Sequence, residues 1–530
     1  MRGIALLIVG ALAVAGASLP GEAVAKPFRW SSQGDFLTAD PHAQNEGINN
    51  AILSQAYERL TTRDKDLKIA PSLALRWESV SATTWRFHLR KGVRFHDGAP
   101  FTADDVIFSI ERAQLPSSNF KTFAAQLGKP RRVDDHTVEF VTPRPTPMFL
   151  ELVNTIQIMS RAWALKNGAA KPQDFKSAED TFASRNANGT GPFRFVAWEL
   201  EVKTTLRRNP DWWGIAEGRM EGNVTEVTYR PIKSDATRMA ALVSGEVDFV
   251  LDPPLQDVAR LRKSAQVTIL EGPENRVIFL VMNQAGDTLP YGNVKGRNPF
   301  LDARVRHALY HAIDIEAIRS QVMRGLSAPT GAMVPARASS PASTEPRLLP
   351  YDAARARQLL AEAGYPNGFE TQLMCPNNRY VNDERICTAL SAMLAKVGVK
   401  VTLALLPRAQ FFQKVDQFDF AMHLYGWGGA ATDPGLVLGP ILHSPDGTGR
   451  GDFNSGRFKD AQLDALIQKS ETEMDAARRA TMLEEALQRV RTEAYTIPLH
   501  RQFIPWAVRK GVKLHHRADN SPEMIWVRVD

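Results

Sequence analysis

The segment Tyr425-Gly426-Trp427-Gly428 has the composition of a ligand-binding surface. It follows a strand-like run, Phe418 to Leu424, and is therefore expected in a loop at the end of a strand. Glycines let the backbone approach a ligand closely, and Trp427 offers a flat apolar wall with a polar edge. We interpret the segment as one wall of a cleft. The alternative is a core tryptophan in a tight turn.

A second candidate segment, residues 377–382, lies between a predicted strand and a predicted helix. Its Arg379 could bind a ligand carboxylate through two parallel hydrogen bonds. Backbone N–H groups at the start of the helix near Asp383 would add to an anion site. Tyr380 and Asn382 are ligand-binding candidates in the same loop. The alternative for Arg379 is a solvent-facing loop residue.

Motifs for cofactors are incomplete. Gly189-Thr190-Gly191-Pro192-Phe193 contains a GxG pair, but it lacks the third glycine of a dinucleotide fingerprint. We therefore interpret Thr190 and Gly191 as part of a turn near the cleft. His307 and His311 share a helix face, but Ala308 stands where the glutamate of HExxH would be. No cofactor and no metal ligand set is expected.

Catalytic motifs are also missing. GxSxG is absent, and the SxxK pattern that begins at Ser118 lacks the SDN and KTG that accompany it in β-lactamases. We therefore assign no catalytic residues and expect a protein that is not an enzyme.

The start of the chain predicts export. A positive Met1-Arg2 precedes an apolar run from Ile4 to Ala17 and an Ala23-Val24-Ala25 site. This order is typical of a cleaved signal peptide over residues 1–25, with a membrane anchor as the alternative. In an oxidising compartment the two cysteines, Cys375 and Cys387, form either a disulfide or a buried free pair.

The charge pattern argues against nucleic acid. The formal net charge is +7, but lysines and arginines are scattered rather than concentrated on one face. Alternating and helical periodicities predict an α/β protein with parallel strand pairing. The elements expected are strands at Trp85 to Leu89, Phe369 to Met374 and Val399 to Leu406, and helices from Thr102, from Asp352 to Gly364, at Asp383 to Val397, and two within Leu463 to Val490.

Several blocks then occur in the order of one family. The chain resembles the large extracytoplasmic solute-binding proteins of the oligopeptide, dipeptide and nickel class, solute-binding protein family 5. The resemblance rests on the segments 85–98 (WRFHLRKGVRFHDG), 100–106 (PFTADDV), 189–193 (GTGPF), 208–213 (RNPDWW), 244–248 (SGEVD), 298–314 and 425–434.

The resemblance implies a type II periplasmic binding fold, in which two α/β lobes surround a hinged cleft. We map the hinge lobe to residues 26–59, 187–272 and 498–530, the extra subdomain of this first lobe to 60–186, and the second lobe to 273–497. The hinge would then lie near Gly272 and Pro498. Asp40-Pro41-His42 lies where relatives contact their ligand, so His42 is a candidate contact, with a plain surface residue as the alternative.

The functional implication is a periplasmic monomer that captures short peptides for an inner-membrane ABC permease and its ATPases. Other small solutes (an opine, a sugar conjugate or a nickel chelate), chemoreceptor-coupled sensing and a periplasmic chaperone are the alternatives. One departure bears on the ligand. Peptide-binding relatives carry an ammonium-binding Asp where this chain has Ala430. We therefore expect either another acidic group or a ligand without a free α-ammonium at that spot.

Overall fold

The computed structural model describes residues 26–175, 177, 179–334, 347–377, 379–428 and 432–530. The predicted signal peptide, residues 1–25, and the departure at Ala430 lie outside the described residues.

Strands are distributed along the whole described chain. They are β1 Pro27–Ser32, β2 Thr61–Arg63, β3 Ile69–Pro71, β4 Ala74–Ser81, β5 Thr84–Leu89, β6 Lys129–Asp134, β7 Thr137–Val141, β8 Phe193–Glu199, β9 Lys203–Arg208, β10 Glu226–Pro231, β11 Phe249–Val250, β12 Val267–Met282, β13 Ser327–Pro329, β14 Phe369–Pro376, β15 Val399–Leu406, β16 Met422–Gly428, β17 Thr496–Arg509, β18 Val512–Lys513 and β19 Arg528–Val529.

Helices alternate with these strands. They are α1 Gly47–Ala56, α2 Ala103–Ala113, α3 Lys121–Gln126, α4 Phe149–Val153, α5 Arg161–Lys166, α6 Phe182–Arg185, α7 Asp235–Ser244, α8 Leu255–Leu261, α9 Ala303–Ala312, α10 Ile315–Ala317, α11 Ala353–Glu362, α12 Asp383–Ala395, α13 Arg408–Asp416, α14 Gly435–Val437, α15 Ala461–Ser470 and α16 Ala476–Glu493. None of the described helices has the length and apolar character needed to cross a membrane.

One large mixed sheet organises the molecule. Its strand order is β15-β14-β16-β12-β17-β11-β1-β10-β9-β8, with β13 added on β17. The long antiparallel strands β12 and β17 pair from Val267 opposite Arg509 to Val281 opposite Thr496. They therefore connect the strands around β1 with the strands around β14.

The second half of β12 is buried on both faces. Ile278, Leu280 and Met282 belong to one hydrophobic core, and the alternate residues Val277, Phe279 and Val281 belong to another. This follows from the two-residue period of a strand, which sends successive side chains to opposite faces. An unbroken apolar run is what such a doubly covered strand requires.

The pairing of β12 with β17 is irregular near the predicted hinge. The register shifts between Pro273 and Val277, and again between Ile278 and Phe279, which lies opposite Pro498. Gly272 lies just before the first shift. The strand pairing is thus interrupted where the hinge is predicted, and the hinge, lobe and subdomain boundaries stay predictions.

A smaller antiparallel sheet, in the order β4-β5-β7-β6, lies within residues 60–186. Its core contains Phe87, Phe140 and Phe149, whose rings contact one another edge-on or tilted. Helix α2 begins as predicted, because the Asp105 carboxylate accepts a hydrogen bond from the Thr102 N–H at 2.9 Å.

Most predicted elements are confirmed, including parallel pairing of β14 with β15 and the two helices α15 and α16. The strand predicted from Phe418 to Leu424 is present, but its bounds were wrong. Phe418 adopts a left-handed conformation with φ 57°, and the strand begins only at Met422. Consequently, Tyr425 to Gly428 form the end of β16 rather than a loop after it.

Candidate ligand-binding site

The loop between β14 and α12, which carries Arg379, Tyr380 and Asn382, is fixed by its own polar groups. The buried Asp383 carboxylate accepts hydrogen bonds from the backbone N–H of Arg379 at 2.8 Å and of Tyr380 at 3.0 Å. Asn382 is left-handed at φ 55°, and its amide donates to the Val322 carbonyl at 2.8 Å. Asn382 thus anchors the loop.

A disulfide between Cys375 and Cys387 closes this loop at its base. It joins the end of β14 to α12, and both residues are fully buried. Of the two alternatives left open for these cysteines, the structure shows the disulfide. The bond limits how far residues 379–386 can move relative to the sheet.

The Tyr380 ring packs directly on the end of β16. Its hydroxyl contacts the Gly426 carbonyl at 3.4 Å, and a Cβ on Gly426 would lie 2.7 Å from the Tyr380 Cε1. A Cβ on Gly428 would lie 2.0 Å from the Asn275 carbonyl oxygen of the neighbouring strand. These glycines are therefore required by close approach of the protein's own groups.

Tyr425 and Trp427 differ in their surroundings. Tyr425 is buried, with its ring centroid 5.6 Å from that of Phe279 in the core. Trp427 is only half-buried, and its ring lies 5.0 Å from that of the exposed Phe453. Of these two aromatics, Trp427 is the one that can present a face to a ligand.

Arg379 is the most notable charged group of the loop. Its guanidinium lies over the Tyr380 ring, 5.2 Å from the centroid, and among the described residues no carboxylate oxygen lies within 4.0 Å of it. Burial, together with the charges of Arg276 and Arg408, lowers the pKa of Arg379 below its usual value. A bound anion would favour the charged guanidinium and so raise the pKa of Arg379 again.

Three further charged residues near Arg379 were not predicted from the sequence. Arg276 of β12 donates from Nε to Glu274 Oε1 at 2.9 Å. Arg408, at the start of α13, pairs with Glu46 Oε1 at 2.7 Å. Glu46, Arg276 and Arg408 are far apart in the sequence and belong to no local motif. Only the tertiary structure brings them together.

Glu46 and Arg408 connect two predicted lobes. Glu46 precedes α1, where its Oε2 accepts the N–H of Ile48 at 3.2 Å, and Arg408 belongs to the predicted second lobe. The ion pair therefore spans the predicted cleft.

Thr190 and Gly191 lie against the end of α1. The Gly191 N–H donates to the Ala56 carbonyl at 2.9 Å, and a Cβ on Gly191 would lie 2.5 Å from the Gln55 carbonyl oxygen. Thr190 is buried. Within the described structure no hydrogen bond or ring contact joins these two residues to Arg379 or Tyr380. Their close packing accounts for the small residues of the turn.

His42 is fully buried and engaged by the protein itself. Its Nδ1 lies 3.1 Å from Arg112 Nη1, and its Nε2 lies 2.9 Å from the Gln157 carbonyl. Because arginine can only donate and a carbonyl can only accept, the ring is the neutral Nε2–H tautomer. Burial and the charge of Arg112 lower the pKa of His42 to about 4. This arrangement favours a structural role.

The described part of the chain contains no group of three His, Cys, Asp or Glu side chains that could hold a metal ion. His307 and His311 instead contact the carbonyls of Thr492 and Pro350, both at 2.8 Å.

Comparisons with known proteins agree with this architecture. The profile of the bacterial extracellular solute-binding proteins, family 5 (middle region), matches residues 68–449. Heme-binding protein A of Haemophilus influenzae is 30% identical over 479 residues, covering 85% of this chain and 82% of that protein. Glutathione-binding protein GsiB of Pectobacterium atrosepticum is 26% identical over 468 residues, covering 87% and 85%.

A solved structure supports the fold. The ABC transporter-associated periplasmic binding protein DppA of Helicobacter pylori, in complex with the peptide STSA, superposes with a TM-score of 0.79 at 22% identity, covering 95% of this chain and 98% of that one. The fold is therefore that of a type II periplasmic binding protein. The chain belongs to the bacterial extracellular solute-binding proteins, family 5.

Proposed function

We propose that this protein is the periplasmic substrate-binding component of an ABC importer and that it captures short peptides. The carrying observation is Arg379, which has no carboxylate partner among the described residues and lies over the Tyr380 ring. A ligand carboxylate would complete this site with charge-assisted hydrogen bonds. Two of the relatives, named for glutathione and for a bound peptide, support a ligand of this size and chemistry, whereas the name of heme-binding protein A indicates a different ligand.

The half-buried Trp427 would form an apolar wall of the site, together with the end of β16. Thr190, Gly191 and His42, which contact the protein's own groups, would not be part of it. Ligand enclosed between the two predicted lobes would contact both, so binding would favour the closed state. The closed protein would then deliver its ligand, as a monomer, to a membrane permease driven by ATPases. The Glu46–Arg408 ion pair at 2.7 Å is the kind of contact that forms on closure.

The test starts from the protein as its host exports it. The protein is purified from the periplasm and denatured, and the released solute is identified by mass spectrometry. A short peptide is expected. N-terminal sequencing should find Lys26 as the first residue, and retention of Met1 would contradict export by signal cleavage.

The site is tested with Trp427→Ala. This variant should lose affinity for the released solute while its thermal unfolding stays cooperative. Phe453→Ala removes the neighbouring exposed ring and serves as the matched control. Unchanged affinity in a folded Trp427→Ala would remove Trp427 from the site.

A further inference from the structure

Three arginines lie near one another in the predicted cleft, since the charges of Arg276 and Arg408 both act on Arg379. Arg276 comes from β12, Arg379 from the loop before α12, and Arg408 from the start of α13. We call these residues the arginine cluster. Tyr380 links two of its members: the Arg379 guanidinium lies 5.2 Å from the ring centroid of Tyr380, and the Tyr380 hydroxyl donates to the Gly426 carbonyl of β16 at 3.4 Å. Arg276 lies opposite Gly428, two residues further along the same strand.

The members of the cluster are compensated unequally. Arg408 is paired with Glu46, and Arg276 is paired with Glu274. Glu274 is itself shared, because it also accepts a hydrogen bond from the Gln502 amide. For Arg379 the described residues supply no carboxylate within ion-pair distance. The region therefore has a positive charge that no described carboxylate matches.

The geometry of Arg276 leaves donors available. Its side chain is 16% exposed, and within the described residues its bond to Glu274 uses Nε. The two Nη groups can then donate to another acceptor, because a guanidinium carries five N–H groups in a fixed fork. Arg276 and Arg379 repel each other, which lowers the pKa of Arg379 after the larger effect of burial.

We propose that Arg276 and Arg379 together form an anion subsite and that the transported solute is a net anion, with more acidic than ammonium groups. This inference rests on the proposed function and narrows its substrate class. Two neighbouring guanidinium groups attract carboxylates and repel an ammonium group at the same place. Glu46 of the predicted first lobe pairs with Arg408 and so connects the subsite to that lobe. Anion binding and closure of the lobes would therefore be coupled.

The test uses calorimetry with matched di- and tripeptides that place Glu, Gln or Lys at each position, with free or acetylated amino termini. The wild-type protein should bind the net-negative members at least about tenfold more tightly than the neutral ones. Arg276→Gln should reduce the preference for Glu over Gln by about tenfold, and Arg379→Gln should do the same.

The matched control is Arg262→Gln, which removes an Arg–Glu pair at 2.6 Å on the exposed side of β12. It should leave the preference unchanged. The inference is overturned if wild-type protein prefers neutral or lysine-containing peptides, or if Arg276→Gln weakens Glu and Gln peptides equally, as a purely structural role would.

Failure of the peptide assignment gives a different result. If no peptide binds, the anion subsite is tested by the charge at pH 7 of the solute that is released from the periplasmic protein. A negative solute supports the anion subsite without peptides, and a neutral or positive solute overturns it. A protein that binds no peptide and carries no solute contradicts both proposals.

Discussion

Arg112 and Arg379 are both withdrawn from bulk water, but their partners differ completely. All five N–H groups of Arg112 have acceptors: both oxygens of Asp40, the carbonyls of Ala169 and Lys171, and Nδ1 of His42. Arg379 has none of these among the described residues and lies beside two other arginines. A guanidinium whose N–H groups all have acceptors within the protein (a saturated one) stabilises the fold. One without such acceptors at a cleft (an unsaturated one) can bind a ligand anion.

The same contrast holds for two carboxylates. Burial would raise the pKa of Asp40, but the charge and hydrogen bonds of Arg112 outweigh it and hold the pKa below its usual value. Glu58 has no such cation at bonding distance in the described structure. It accepts hydrogen bonds from the indoles of Trp212 at 3.2 Å and Trp213 at 2.8 Å. Burial, which exceeds their effect, raises the pKa of Glu58 to about 7.

The largest expected effect is on the saturated site. Arg112→Met leaves the fully buried Asp40 carboxylate without its partner, which should cost about 3–5 kcal/mol of unfolding free energy. Urea unfolding measures it. Arg185→Met, which breaks the exposed pair with Asp180 at 2.8 Å, is the control and should change stability little. A loss for Arg112→Met as small as that of the control would refute the assigned role.

The second effect is a pH dependence centred on Glu58. Because its folded pKa lies above its usual value of 4.5, the folded state holds more protons between pH 4.5 and 7. Stability contributed by this group is therefore present below pH 4.5, falls as pH rises to about 7, and is constant above. The loss is on the order of 3 kcal/mol.

Glu58→Gln should remove this fall, and comparison of urea unfolding at pH 5 and pH 7.5 in both proteins isolates it from other groups. Equal pH slopes in wild type and Glu58→Gln would show that Glu58 keeps its ordinary pKa.

Sequence reasoning recovered the parts of this comparison that depend on local pattern. The capping of α2 by Asp105 and the alternation of β15 follow from residues near one another in the chain. The end of β16 was mistaken for a loop, since two glycines within a strand resemble a turn until Tyr380 and Asn275 are seen to pack against them.

Charge pairing was out of reach for a different reason. Arg112 gives no sign in the sequence that Asp40 lies 72 residues earlier at hydrogen-bond distance, so His42, bonded to the same group, could only be placed by analogy. Arg276, Glu46 and Arg408 likewise meet only in the folded chain. Patterns predict which groups could bind, and tertiary contacts decide which of them are already satisfied.

The third prediction concerns what holds the unsaturated site in place. Replacing both cysteines, Cys375→Ala with Cys387→Ala, opens a loop with a sequence separation of 12. It should cost about 2–3 kcal/mol of stability, as expected for a loop of this length. Ligand affinity should fall as well, because Arg379 and Tyr380 lie inside the loop. Calorimetry at a temperature where the variant is fully folded separates the two effects. Unchanged affinity would show that Asp383 and Asn382 hold the loop unaided.

The smallest effect expected is that of Arg379→Lys, which keeps the positive charge but removes the planar fork. If the loop arginine forms two parallel hydrogen bonds with a ligand carboxylate, lysine should lower affinity by about tenfold, equivalent to about 1.4 kcal/mol. Stability should not fall, since the guanidinium has no ion-pair partner in the described structure. Arg112→Lys is the matching variant for comparison. Because lysine cannot replace all the hydrogen bonds that Arg112 donates within the fold, this variant should lower stability instead of affinity. If Arg379→Lys binds as tightly as wild type, the site needs only a positive charge, and the two parallel hydrogen bonds assigned to Arg379 are wrong.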